Sequence, residues 1–215
     1  EIDINNTDLY LTHLHSDHVG LAATIMPKDA TIYMGRVDYE YLMTSVTGSH
    51  WDDTDKVFLS HGFPEDKIIE LHTKNPARAF QVAGPFEAVK LEDGDKITVG
   101  DYEFKCIYVP GHTPGNTCLY YEKDALMFLG DHVLFDITPN ITSWYGVRDS
   151  LSNYIESLKK IREYKMVTAL PAHRNTKGIN VYNRIDQLLE HHKARLADTE
   201  KVVKAVPGST AYEIA

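Results

Sequence analysis

Residues 12–18, Thr12-His13-Leu14-His15-Ser16-Asp17-His18, place three imidazoles and a carboxylate within six positions, directly after the strand-like run Asp8-Leu9-Tyr10-Leu11. Side chains alternate along an extended segment, so His13 and His15 face the same way. The turn that follows brings Asp17 and His18 round to a neighbouring point. Two metal ions side by side suit that arrangement, one held by each pair. The pattern constrains the fold, because a strand must end where loops from other elements can reach in and complete both shells. Eleven histidines in 215 residues exceed what solubility or packing needs, and fit metal or proton chemistry.

Three further donors stand at the ends of β-like runs. His112 lies in Val109-Pro110-Gly111-His112-Thr113-Pro114-Gly115, Asp131 in Phe128-Leu129-Gly130-Asp131, and His173 after Leu170-Pro171-Ala172. Each alone fits a structural role as a turn hydrogen-bonder, a cap or a loop residue. Together with residues 13–18 they form a ligand set of histidines and carboxylates without thiolate, which suits Zn²⁺, with Fe²⁺ or Mn²⁺ as alternatives.

Around these motifs the chain reads as α/β. Strands are expected at 8–11, 31–34, 89–91, 96–99, 102–109, 117–121, 125–129 and 166–170, punctuated by turn formers. Helices are expected from Val19, over 36–43, at 150–164 with Leu151, Tyr154, Ile155, Leu158 and Ile161 at helical spacing, and from Ile179 to about Val206. Between about 45 and 83, two acidic first turns, at Trp51–Asp55 and Pro64–Lys67, predict a helical insertion that covers a site. Residues 1–206 read as one domain, with 207–215 beginning a further segment.

Lys and Arg number 22 against 31 Asp and Glu, a net charge of −9, which counts against a nucleic-acid surface. No run of 18 apolar residues exists, so no membrane span is expected. Cys106 and Cys118 lie in β-like runs and read as two buried free thiols of a cytoplasmic protein.

The motifs, in this order and separation from Asp8 to His173, resemble those of the metallo-β-lactamase-fold hydrolases, most of all the glyoxalase II-like branch. The resemblance implies a four-layer αβ/βα sandwich with a dinuclear site along one edge. His13, His15 and His112 would hold one metal, Asp17, His18 and His173 the second, and Asp131 would bridge them. A bridging water, made acidic by two cations, would then attack an ester, thioester or lactone of a small-molecule substrate, with Asp17 also placed to handle a proton. The bridging position is an Asp, and no Cys takes the place used by the commonest zinc β-lactamases, which counts against antibiotic hydrolysis. His15 replaces the Glu of flavodiiron reductases. Phosphodiester cleavage and metal binding without turnover are the competing expectations; a strip of cations at the metal edge would favour the first of them, an apolar pocket the acyl substrate. Arg174 is a candidate for a substrate carboxylate or phosphate, Thr12, Ser16, Thr113 and Asn116 for orienting imidazoles, and Trp144 and Tyr145 for lining the pocket. His191-His192-Lys193-Ala194-Arg195 reads as a solvated helix face. In the family several strands precede the His-rich motif, so the sandwich is expected to lack its first strands and to leave a sheet edge that a second copy, in a homodimer, could cover.

Overall fold

The computed structural model describes residues 3–48, 50–75 and 79–215, so what was expected of residues 1, 2, 49 and 76–78 lies outside the described residues. Strands β1 (Leu9–Leu11), β2 (Ile32–Gly35) and β3 (Val89–Leu91) form a parallel sheet in that order, with Leu9 opposite Ile32 and Tyr33 opposite Val89. Strands β4 (Lys96–Val99), β5 (Tyr102–Tyr108), β6 (Thr117–Tyr121) and β7 (Leu126–Gly130) form an antiparallel meander, and β8 (Thr168–Pro171) joins it parallel to β7.

Period-two alternation assigns each strand residue to a layer. Leu91, Ile97, Cys106 and Leu119, with Tyr10, Tyr33 and Phe104 against them, fill the space between the two sheets. The neighbouring residues point outward. Leu11, Ile32 and Met34 meet Val19 of α1 (Ser16–Val19), Ala22 of α2 (Ala22–Ile25), and Tyr39 and Leu42 of α3 (Arg36–Thr47). Ile107, Cys118, Met127 and Leu129 meet Tyr154, Leu158 and Ile161 of α6 (Ser150–Arg162), and Ile185 and Leu188 of α7 (Val181–Ala205). The layers therefore run helix, sheet, sheet, helix, as the resemblance implied. Both cysteines are free and buried.

Local chemistry accounts for the helix ends. The Asp149 carboxylate accepts from Ser152 N at the start of α6, and three cations close its last turn, matching both ends of the helix dipole. The Asn180 side chain caps α7 by accepting from Tyr182 N and Asn183 N. Two helices, α4 (His50–Ser60) and α5 (Glu65–Lys74), occupy the stretch before β3. A last short helix, α8 (Ala211–Ile214), opens with a capping box between Thr210 and Glu213. It returns to the turn between α4 and α5, where Tyr212 N donates to His61 O at 3.1 Å and the Tyr212 ring lies 4.9 Å from that of Phe63. Among the described residues no helix is long and apolar enough to cross a membrane.

The solvated-face reading of residues 191–195 is corrected at one position. His192 is buried, its ring 5.3 Å from that of Tyr154. It continues the stripe Val181, Ile185, Leu188 on the inner face of α7, whereas residues 193–205 are all exposed.

Candidate metal centre

The seven candidate donors come together where four strands end. Beyond β1, Thr12 O accepts from Thr117 N at 2.9 Å, which ties the end of the first sheet to the second. His15 then stands as N-cap of the single-turn helix α1, its carbonyl accepting from His18 N and Val19 N. That turn carries Asp17 and His18 back toward His13. His112 sits in the loop after β5, closed by Val109 N donating to Asn116 O and Gly111 N donating to Thr113 O. Gly111 has φ +139°, and a Cβ there would lie 2.4 Å from Tyr154 Cα, so only glycine lets this loop pass α6. Asp131 and His173 follow the ends of β7 and β8, which Ala172 N joins by donating to Gly130 O at 3.0 Å.

Three clusters result, each with its donor atoms within 4.8 Å of one another: His13, His15 and His112; His13, His18 and Asp131; and Asp17, His18 and His173. In the first, His13 Nε2 is 3.1 Å from His15 Nδ1, which is 3.0 Å from His112 Nε2. The nitrogens of a tetrahedral Zn²⁺ site, bonded at about 2.0–2.1 Å, stand roughly 3.3 Å apart, so the spacing fits three lone pairs aimed at one cation. In the third, His18 Nε2 is 3.1 Å from His173 Nε2, and Asp17 Oδ2 lies 3.7 and 3.3 Å from these nitrogens. Asp131 faces both groups. Its Oδ1 is 3.5 Å from His18 and 3.3 Å from His173, and its Oδ2 is 3.8 Å from His112. That Oδ1 is buried without a hydrogen-bond partner among the described residues, the kind of orphaned anionic oxygen that a bound cation satisfies. The donor set fits a pair of divalent cations.

Hydrogen bonds stand behind two of the donors, and one of them fixes a tautomer. His112 Nδ1 donates to Asn140 O at 2.7 Å, which leaves Nε2 as the lone pair facing the centre. Thr12 Oγ1 lies 3.0 Å from His13 Nδ1. Burial and the neighbouring imidazoles hold the ring pKa values down: His13 falls well below the ordinary value, His15 to about 4, and His112 is lowered too. All three rings are therefore neutral near pH 7, the form in which an imidazole can offer a lone pair to a cation. Burial opposes ionisation of Asp131, yet His18, His112 and His173 outweigh it and hold the carboxyl below its usual range.

Of the other expected residues, Thr12 reaches a ring nitrogen, whereas Thr113 donates to Asp38 Oδ2 at 2.6 Å. Asn116 is buried, and its amide has no partner among the described residues. Arg174 follows His173 directly in the left-handed region, φ +63°, an uncommon conformation for a residue with a Cβ. Beside the donors opens a cavity of about 400 Å³, reaching from His15, Ser16 and Asp17 to Leu42, Trp51, Phe58 and Val82. Trp144 lines it, with its ring 5.9 Å from that of His15. Tyr145 lines a separate cleft with Tyr41, Tyr108 and Arg148. Two residues of the centre had no sequence signal: Asn140, which acts through its backbone carbonyl, and Asp38, whose place in the first turn of α3 resembles any acid at a helix start.

Known proteins resemble the chain in the same terms. A family model described as the metallo-beta-lactamase superfamily matches residues 7–173. A hydroxyacylglutathione hydrolase from Maricaulis maris (strain MCS10) is 28% identical over 143 residues, covering 62% of this chain and 54% of that protein. The acyl-coenzyme A thioesterase MBLAC2 of Homo sapiens is 30% identical over 106 residues, 47% of this chain and 37% of that protein. The chain thus spans about half the length, or less, of the curated relatives it matches. The crystal structure of metallo-beta-lactamase family protein TTHA1429 from Thermus thermophilus shares the fold, with a TM-score of 0.80 at 24% identity over 99% of this chain and 69% of that one.

Proposed function

Since the chain belongs to the metallo-beta-lactamase superfamily, we propose that it is a dinuclear zinc hydrolase of a small ester, thioester or lactone. We assign His13, His15 and His112 to one ion and Asp17, His18 and His173 to the other, with Asp131 between them. Held by these residues, two such cations would supply an acidic water and polarise the acyl oxygen. Asp17 would accept or pass on a proton, a role that its position half-open to solvent at the rim of the cavity supports. Arg174 takes the role of binding an anionic group of the substrate outside the cavity.

The observation that carries the choice of substrate is the cavity. Leu14, Leu42, Trp51, Phe58, Val82 and Trp144 give it apolar walls, and among the described residues no Lys or Arg lines it. An uncharged acyl group gains from burial there by about 25 cal/mol per Å² of apolar surface, while a polyanionic backbone finds no cation among the described residues. Hydroxyacylglutathione hydrolase and acyl-coenzyme A thioesterase among the relatives support an acyl substrate.

The test is an activity panel on zinc-loaded protein with acyl thioesters, aryl esters, lactones and bis-aryl phosphodiesters. Turnover is expected on acyl compounds, with kcat/KM rising as the acyl group lengthens to fill the cavity. Cleavage confined to the phosphodiester would replace this reading with a nuclease, and no turnover at full zinc occupancy would leave a metal-binding module.

A further inference from the structure

Asp38 is wholly buried, yet among the described residues it makes no contact with an opposite charge. A buried carboxylate must find hydrogen-bond donors or lose its charge, and Asp38 finds three. Leu14 N donates to Oδ2 at 3.0 Å, Thr113 Oγ1 donates to Oδ2 at 2.6 Å, and Gly115 N donates to Oδ1. The donors come from two loops far apart in sequence. Leu14 lies between His13 and His15, and Thr113 follows His112. Every histidine of the first cluster is thus one residue from a group bound to this carboxylate.

The surroundings are shaped to this contact. A Cβ on Gly115 would lie 2.2 Å from Asp38 N and 2.9 Å from Asp38 Oδ1, so the loop closes on Asp38 only because residue 115 is glycine. Asp38 belongs to α3, on the first-sheet side, and Thr113 and Gly115 to the loop joining β5 and β6 of the second. The carboxylate therefore sets how far the His13–His15 loop stands from His112, across the His15 Nδ1 to His112 Nε2 separation of 3.0 Å. We propose that Asp38 is the positioning residue of the three-histidine cluster, holding two loops in register so that three lone pairs meet at one zinc ion. The inference rests on the zinc assignment made above.

The test uses zinc affinity by chelator competition and the visible spectrum of the Co²⁺-substituted protein. Asp38→Asn keeps the shape but turns one acceptor oxygen into an amide donor, which opposes at least one of the three N–H or O–H groups. Zinc affinity at the first site is expected to weaken about 10–100-fold, the range for supports behind metal ligands, with altered Co²⁺ bands. Thr113→Val should weaken it in the same direction, and Thr113→Ser, which keeps the hydroxyl, should restore it. This pair carries the test if Asp38→Asn does not fold. Melting temperatures that fall while zinc affinity and Co²⁺ bands of the folded variants stay as in the wild type would reduce Asp38 to a packing role and overturn the proposal. So would Thr113→Ser binding as weakly as Thr113→Val. A wild-type protein that takes up no zinc overturns the metal assignment itself, and this inference with it.

Discussion

Protons compete with metal ions for the same lone pairs, and at this centre the fold disfavours the proton. Burial lowers the pKa of His13, His15 and His112, and likewise that of His132, to about 3, and of His192. Between those values and the ordinary 6.5 an unfolded chain holds protons that the native one does not, so stability rises with pH across that window. Asp38 works the other way. Burial pushes its carboxyl up to about 7, so the native state holds a proton there that the unfolded state has released. Five imidazoles outweigh one carboxyl. The metal-free protein is therefore expected to melt at a lower temperature at pH 5 than at pH 7, with His15→Gln flattening part of the slope. A melting temperature that is flat or higher at pH 5 would contradict the buried neutral histidines. His13→Ala, which touches two of the donor clusters, should lower zinc content by at least about one ion per chain and abolish turnover, measured by metal analysis beside the activity assay. The seven donors were legible because ligand chemistry forces a dense local spacing at residues 13–18 and donors at strand ends elsewhere. Asp38 was not, since its donors lie 24 to 77 residues away.

Elements explain why the cavity has the walls it has. Helix α4 contributes Trp51 and Phe58, and the Phe58 ring lies 5.0 Å from that of Phe63, on which Tyr212 of α8 rests. Thr210 presses against Gly62, which needs its positive φ of +87° and its missing Cβ to fit. The C-terminal turn thus supports the cavity wall through two aromatic contacts, each worth about 0.5–1.5 kcal/mol beyond area burial. Tyr212→Ala is expected to raise KM several-fold for long acyl substrates, with little change for acetyl ones and kcat retained. A uniform change across chain lengths would disconnect α8 from the cavity. Phe58→Ala, by emptying part of the wall, should cost roughly 10-fold in kcat/KM on the preferred acyl chain, read from the same series. Helices α4 and α5 could be read from Asp52, Asp53, Glu65 and Asp66 in their first turns. The docking of α8 could not, because its capping box is local and Tyr212 meets Phe63 only in the folded chain. His192 was readable in principle, since the spacing from Val181 through Ile185 and Leu188 leads to it.

At the scale of the molecule, the two outer cores are large and the layer between the sheets is thin. Among the described residues, the second sheet and its helices share fifteen buried residues in one cluster, against four between the sheets. The period-two alternation made both sheets legible, but not which faces meet, because a strand buried on both sides reads the same from either. His13, His15, Asp17 and His18 come from the first half of the sandwich, and His112, Asp131 and His173 from the second. If the centre holds zinc as proposed, removing it with a chelator should therefore cost more than activity. At free zinc about a thousandfold above Kd, the bound state gains about 4 kcal/mol, or roughly 10 °C in melting temperature for a chain of this size. The centre then acts as a rivet through a seam. Once it is withdrawn, hydrogen exchange should quicken first at the amides that stitch the halves together, Gly115 and Thr117, while the interior of β6 and β7 stays protected. Loss of zinc would then part the sandwich along its middle before it unfolds either side.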